Sequence, residues 1–273
     1  MNPLEFVALT PKSNCGQCGY PTCLAFAVAV TKGGIPAAGC PFIDSDALPS
    51  DLKQGQNTEG LRAVARGQEE RDMALVAHLK SKLSALDFQR LAGQLGAKWS
   101  ADCPDMLRFV YLGCSVALGK EQLEVDGRQL IDPRDQILLY NYVAFGGGRF
   151  PDGNWVGMES LPNSISKVRT LATYCEQRLG KRFAARGWRL RELCRLVGGT
   201  PGPSGQSADV GMIVPVLPHV PLYVLFWDEE LEDGFKAKVK VLFDHNVMDF
   251  LDLESLVFAA ERMADRLAEL DGP

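Results

Sequence analysis

The sequence predicts an α+β protein in two parts: a small helical metal-binding module, then a larger domain of helices and antiparallel strands. Three observations predict it. Four of the eight cysteines fall within the first 40 of 273 residues, and the other four are scattered singly. Downstream, helical and strand patterns come in runs without strict alternation, which favours α+β over a doubly wound sheet. The chain is 46% hydrophobic and 23% charged, an ordinary globular balance at a length of about two domains.

In chain order, residues 3–9 read as a short helix that Pro11 ends. Residues 14–21 are turn-rich. Thr22 is a candidate N-cap for a helix over 23–32, with Gly33-Gly34 as its stop. The module is placed at 1–45, a polar, Gly- and Pro-containing linker at 46–60, and the larger domain at 61–273. Met73, Val76, Ala77, Leu79, Leu83 and Leu86 recur at helical spacing. Asp87 then caps a second helix, with Phe88, Leu91, Ala92 and Leu95 on one face and Gly96 as the stop. Residues 107–118 read as one strand and 122–125 as another, separated by Gly119-Lys120-Glu121. A helix is expected over 137–145, after Asp132-Pro133, and breaks at Gly146-Gly147-Gly148. Val168, Leu171, Ala172, Cys175, Leu179 and Phe183 predict an amphipathic helix. Residues 200–207 form a Gly/Pro/Ser loop. Strands are expected at 210–217, 222–227 and 235–243, and a final helix at 253–270.

The first four cysteines are spaced C-x2-C-x4-C-x16-C, at Cys15, Cys18, Cys23 and Cys40. Four thiolates are the ligand set of a [4Fe–4S] cluster and also a zinc set. Structural zinc sites usually present two close pairs. Here only the first pair is close, and the last ligand is a remote Cys-Pro, which favours the cluster. Gly16 and Gly19 allow close backbone approach, and the N-terminus of the Thr22-capped helix suits an anionic group.

The run from Leu9 through Cys15-Gly16-Gln17-Cys18-Gly19-Tyr20-Pro21-Thr22-Cys23 to Ala27 resembles the four-cysteine [4Fe–4S] module of the corrinoid iron–sulfur protein large subunit. A similar module occurs in the B subunit of the Rnf electron-transport complex. The resemblance covers roughly residues 3–45 and extends to the residues between the cysteines. It implies that Cys15, Cys18, Cys23 and Cys40 bind one low-potential [4Fe–4S] cluster that relays single electrons. It does not extend to cobalamin binding, because no D-x-H-x-x-G motif is present and Asp244-His245 is adjacent. From about residue 60 the chain looks similar to a domain of unknown function found behind this module in anaerobic bacteria, through Leu217-Pro218-His219-Val220-Pro221-Leu222 and Leu242-Phe243-Asp244.

The remaining candidates read more plainly. Cys103, Cys114, Cys175 and Cys194 read as packing residues rather than a second metal site. His78, His219 and His245 are the three histidines, and the last two are the candidates for ligand or acid–base roles. Seven basic residues between Arg178 and Arg195 stand against one acid, Glu192; they are a candidate dock for an acidic partner such as a ferredoxin, or a solvated helix face. Residues 228–254 hold nine acids and three lysines, so the two segments could face each other. The stretch 113–120 lacks the spacing and the Ser or Thr of a phosphate loop.

The net charge of −5 argues against nucleic acid. No apolar segment is long enough for a membrane span, and the start has no signal-peptide pattern, so a cytoplasmic location is expected. The function expected is single-electron transfer to or from a protein-bound cofactor, a corrinoid among them, with a ferredoxin or corrinoid protein as partner. The alternatives are an enzyme whose larger domain uses the cluster as its relay, and a non-redox binding or sensor protein with a structural cluster.

Overall fold

A computed structural model describes residues 2–13, 18–20, 22–32, 35–43, 48, 58–130, 132–205, 207–230 and 234–272, with backbone alone for 58–69. The chain divides into two compact units, Met1–Ala74 and Leu75–Pro273. The architecture is α+β, with helices and two antiparallel sheets. The Gly33-Gly34 stop and most of the 46–60 linker lie outside the described residues.

In the first unit, α1 (Pro3–Val7) and α2 (Cys23–Thr31) pack together. A capping box starts α1: Asn2 Oδ1 accepts from the Glu5 N–H at 2.8 Å, and Glu5 Oε2 accepts from the Asn2 N–H at 2.9 Å. The core is Phe6, Phe26, Ala27, Val30, Ala37, Cys40 and Leu48. Phe26 is its hub, with Phe6 edge-on at 6.1 Å and Tyr20 at 5.6 Å between ring centroids.

Helix α3 (Thr58–Ser84) carries the division between the units, and its Val76, Leu79 and Leu83 enter the second unit's core. Helix α4 (Phe88–Gln94) starts at the expected cap, with Asp87 Oδ1 accepting from the Arg90 N–H. The first sheet is a meander, in order β1 (Lys98–Ser100), β2 (Cys103–Tyr111), β3 (Cys114–Gly119), β4 (Leu123–Val125) and β5 (Arg128–Gln129).

The single strand expected over 107–118 is instead a hairpin. Leu112 (φ 46°) and Gly113 (φ 81°) form a two-residue turn, and Tyr111 pairs with Cys114. Leu112 tolerates the left-handed backbone because it is anchored: its side chain is buried and its N–H donates to the Val216 carbonyl at 3.1 Å. Gly113 is required sterically as well, since a Cβ there would lie 3.0 Å from Val197 Cα. Asp126 and Gly127, both at positive φ, turn β4 into β5.

Helix α5 (Pro133–Phe145) follows, capped by Asp132 and stopped by Gly146 at φ 76°. Then come β6 (Trp155–Gly157), α6 (Ile165–Leu171) and α7 (Gln177–Phe183). The helix expected across 168–183 is interrupted by a π-helical turn over Ala172–Glu176. That turn sends Glu176 Oε1 to the Val241 N–H at 3.0 Å. Helix α8 (Gly187–Leu196) lies within the basic run, and Asp228 accepts from the N–H groups of Ala185 and Gly187 at its start. The second sheet runs in order β6, β10 (Lys238–Asp244), β9 (Val220–Trp227), β8 (Val210–Leu217) and β7 (Thr200–Pro201). Helix α9 (Leu253–Asp271) packs against α5, α6, α7, α8 and β8.

Two polar clusters fix α9. Arg262 makes a bidentate pair with the buried Asp135 at 2.7 and 3.0 Å, and Tyr111 Oη donates to the same carboxylate at 2.9 Å. At the helix end, Asp271 meets Arg182, Arg186 and Arg189, each at 3.1 Å. Burial pushes the Asp271 carboxyl up, and the guanidiniums outweigh it, so the group sits below its ordinary value.

Three outcomes follow from this architecture. Asp135→Ala leaves Arg262 with Asp265 alone and the Tyr111 hydroxyl without its acceptor, and should cost about 3–5 kcal/mol in denaturant unfolding; a loss within ~0.5 kcal/mol would show that the pair does not hold the fold. Asp271 contributes stability above its unfolded pKa near ~3.9, and that stability is lost as pH falls through the lower folded value. Asp271→Asn should therefore lower the midpoint at neutral pH and flatten the acid limb of stability against pH; a parallel acid limb would remove the cluster from that role. Finally, the second unit's hydrophobic core draws on residues from Val76 onward. A chain starting at Thr58 should fold without iron, as read by circular dichroism and a cooperative melt; an unfolded product beside a folded full-length chain would mean the units share one core.

Candidate metal centre

The local sequence of the first unit brings thiols to one small apolar cluster. Thr22 enters α2 in an extended conformation, and its Oγ1 accepts from the Ala25 N–H at 3.0 Å. Cys23 is thereby the first residue of α2 and is buried. Cys40 belongs to the Phe6–Phe26 cluster, and Cys18, half-buried, packs against it. Gly19 follows Cys18 at φ 83°, a turn that a side chain would strain. Cys15 and Gly16 lie outside the described residues.

The donor chemistry suits iron. Cys23 stands at the positive end of a nine-residue helix, and the soft thiols of Cys18 and Cys40 sit at an apolar cluster. Among the described residues, Cys18, Cys23 and Cys40 do not all lie within 4.8 Å of one another. Sulfurs on one tetrahedral zinc, at ~2.3 Å each, lie about 3.8 Å apart.

The other cysteines are distributed through the second unit. Cys175 is fully buried in the π turn, and burial pushes its thiol far above the thiolate range. Burial pushes Cys194 up to about 12. Cys114 accepts from Arg266 Nη2 at 3.4 Å, and burial again raises its thiol. Cys103 is exposed on β2.

His78 is exposed on α3. His219 is held between the rings of Phe150 and Phe250, at 4.8 and 5.2 Å, and burial depresses its pKa. Its Nε2 has no hydrogen-bond partner among the described residues. His245 Nδ1 lies 3.3 Å from Asp152, and Asp152, Asp244 and His245 bring donor atoms within 4.8 Å of one another. Asp244 is already engaged: its carboxylate accepts from the N–H groups of Asp152, Gly153 and Asn246 at 2.8–3.0 Å. That arrangement staples the 152–154 turn to the end of β10.

The basic run is not an open cationic face. Arg178 pairs with Asp265 at 2.5 Å, and Arg182, Arg186 and Arg189 converge on Asp271, whose side chain is 5% exposed. The acids opposite these four arginines come from α9; among the described residues of 228–254, Asp228 reaches the run, as a helix cap. No spacing signal could find Asp271, which stands 82–89 residues away from its arginines. Sequence reasoning also missed Asp135, Arg262 and Tyr111, a set assembled from three separate elements. No described helix is long and apolar enough to cross a membrane.

Comparison with known proteins separates the two parts of the chain. Residues 11–42 match the family model "Putative Fe-S cluster". A stretch of 49 residues, 18% of this chain, is 50% identical to the corrinoid/iron-sulfur protein large subunit of Moorella thermoacetica. The match spans 11% of that relative's length. Together these two findings support an iron–sulfur protein with an iron–sulfur cofactor. No solved structure matches the chain. Residues 87–266, about two-thirds of the chain, match the model of a domain of unknown function, and by that match the chain belongs to the DUF3786 family.

Proposed function

We propose that Cys15, Cys18, Cys23 and Cys40 together hold one [4Fe–4S] cluster, and that the protein exchanges single electrons with a protein-bound cofactor. The observation that carries this reading is the placement of Cys18 and Cys40 at one apolar cluster, with Cys23 buried at the start of α2, all inside the segment that matches the iron–sulfur model. The spacing, with one close pair and a remote Cys-Pro as the last ligand, favours a multi-iron group over a single zinc. A cluster so held supplies one-electron chemistry, with a potential tuned by burial and by hydrogen bonds to sulfur. The chain's own residues do the rest: Phe6, Phe26 and Val30 exclude water from one side, and Thr22 fixes the helix end against the thiols.

The division into a module at 1–45, a linker at 46–60 and a domain at 61–273 belongs to the same reading. A ferredoxin or a corrinoid protein is the proposed partner, the latter suggested by the named relative, in the cytoplasm of an anaerobe. A second reading makes the larger unit an enzyme that binds a substrate served by the cluster; it draws on the groove lined by Lys98 and Arg108.

Anaerobically prepared full-length protein should carry about four iron and four labile sulfide per chain. Serine at position 15, 18, 23 or 40 should lower that content, and Cys175→Ser should leave it unchanged. Stoichiometric zinc without sulfide would overturn the assignment. A cluster that binds but stays oxidised under strong reductants would keep the iron site and remove the electron-transfer role.

A further inference from the structure

We propose that the second unit carries a binding site for a small organic anion, in a groove between the outer face of the first sheet and the end of β8. The head group, a carboxylate or a phosphate, is taken by Lys98 and Arg108. The apolar body rests on Val110, Pro215 and Pro218. The proposal is independent of the cluster reading, since every residue it uses lies in the second unit.

Lys98 and Arg108 are direct cross-strand partners in the ladder between β1 and β2. Partners in an antiparallel ladder share one face, and like charges placed there destabilise the sheet. Neither charged group has a hydrogen bond or an ion pair among the described residues. Arg149, Arg178, Arg182, Arg186, Arg189 and Arg262 each hold a carboxylate. Two opposed cations left uncompensated amount to a preset anion site, with Arg108 offering a planar fork and Lys98 a point charge.

The surroundings give the site its shape. Val110 shares the face of Arg108 two residues away and is 52% exposed, an apolar surface left open. Ser115 is the cross-strand partner of Val110. Its N–H is taken by Asp126 at 2.8 Å, so its hydroxyl is the group left to face a ligand. Pro215 and Pro218, both half-buried, supply the opposite wall. The groove has a volume of about 560 Å³, the size of a small-molecule site. Cations at one end and aliphatic walls at the other select an amphipathic anion over a bare inorganic one.

The test titrates the full-length protein with phenyl phosphate, benzoate and benzyl alcohol, followed by calorimetry and by backbone NMR shifts. Phenyl phosphate or benzoate should saturate at one site, with shifts confined to residues 96–98, 108–115 and 215–218, and the stronger of the two identifies the head group. Benzyl alcohol should not bind. Arg108→Gln should weaken binding about tenfold or more, and Lys98→Gln several-fold, while Arg178→Gln leaves it unchanged. Without ligand, Lys98→Gln should raise Tm by relieving the like-charge contact. No saturation at millimolar anion, shifts outside the groove, equal binding by the Lys98→Gln/Arg108→Gln variant, or a lower Tm on Lys98→Gln would each overturn the proposal.

Discussion

A carboxylate taken out of water must find its countercharge, and in the second unit that requirement falls on Asp135. Its side chain is 7% exposed, and the forked guanidinium of Arg262 meets both of its oxygens. Desolvating such a pair is costly, and removing one partner costs more, so each group dictates where the other's backbone lies. Asp135 sits in the first turn of α5, Arg262 in the middle of α9, and Tyr111 at the end of β2. One ionic contact thus ties the first sheet to two helices that are far apart in sequence. The Asp271 cluster fixes the far end of the same helix against α7 and α8, so α9 is held at two points along its length.

Much of this fold was legible because periodicity survives local detail. Asp87 and Thr22 each cap the helix that sequence assigns them. The failures are equally physical. The hairpin at 112–113 hides inside an unbroken apolar run because Leu112, a residue with no preference for positive φ, is held there by tertiary contacts. The π turn at Ala172–Glu176 keeps an amphipathic pattern while shifting its phase, which places Glu176 where β10 needs an acceptor. Strands of two or three residues such as β5, β6 and β7 carry too little pattern to stand out.

The candidate sites differ in legibility for a similar reason. Ligand spacing in the cysteine module is local, so the sequence displays it directly. The opposition of Lys98 and Arg108 is a matter of strand register, ten residues apart across an irregular ladder, and no count of charges can display it. The same limit misdirected the reading of the basic run. Seven cations in eighteen residues describe a surface only if their partners are absent, and four of the arginines have carboxylates waiting on α9.

The distribution of thiols carries the last step. Metals and oxidants take the thiolate, so a chain with eight cysteines risks misligation wherever a thiol is both deprotonated and reachable. The second unit limits that risk by burial. Cys175 and Cys194 are sealed in the core and held protonated far above neutral pH, and the Cys114 thiol is raised as well. Cys103, exposed on β2, is the exception. The first unit places Cys23 at the start of a helix, where an anion is stabilised. The asymmetry of cysteine spacing is therefore matched by burial in the larger unit, which keeps Cys175 and Cys194 protonated and leaves that unit free to build an ordinary core.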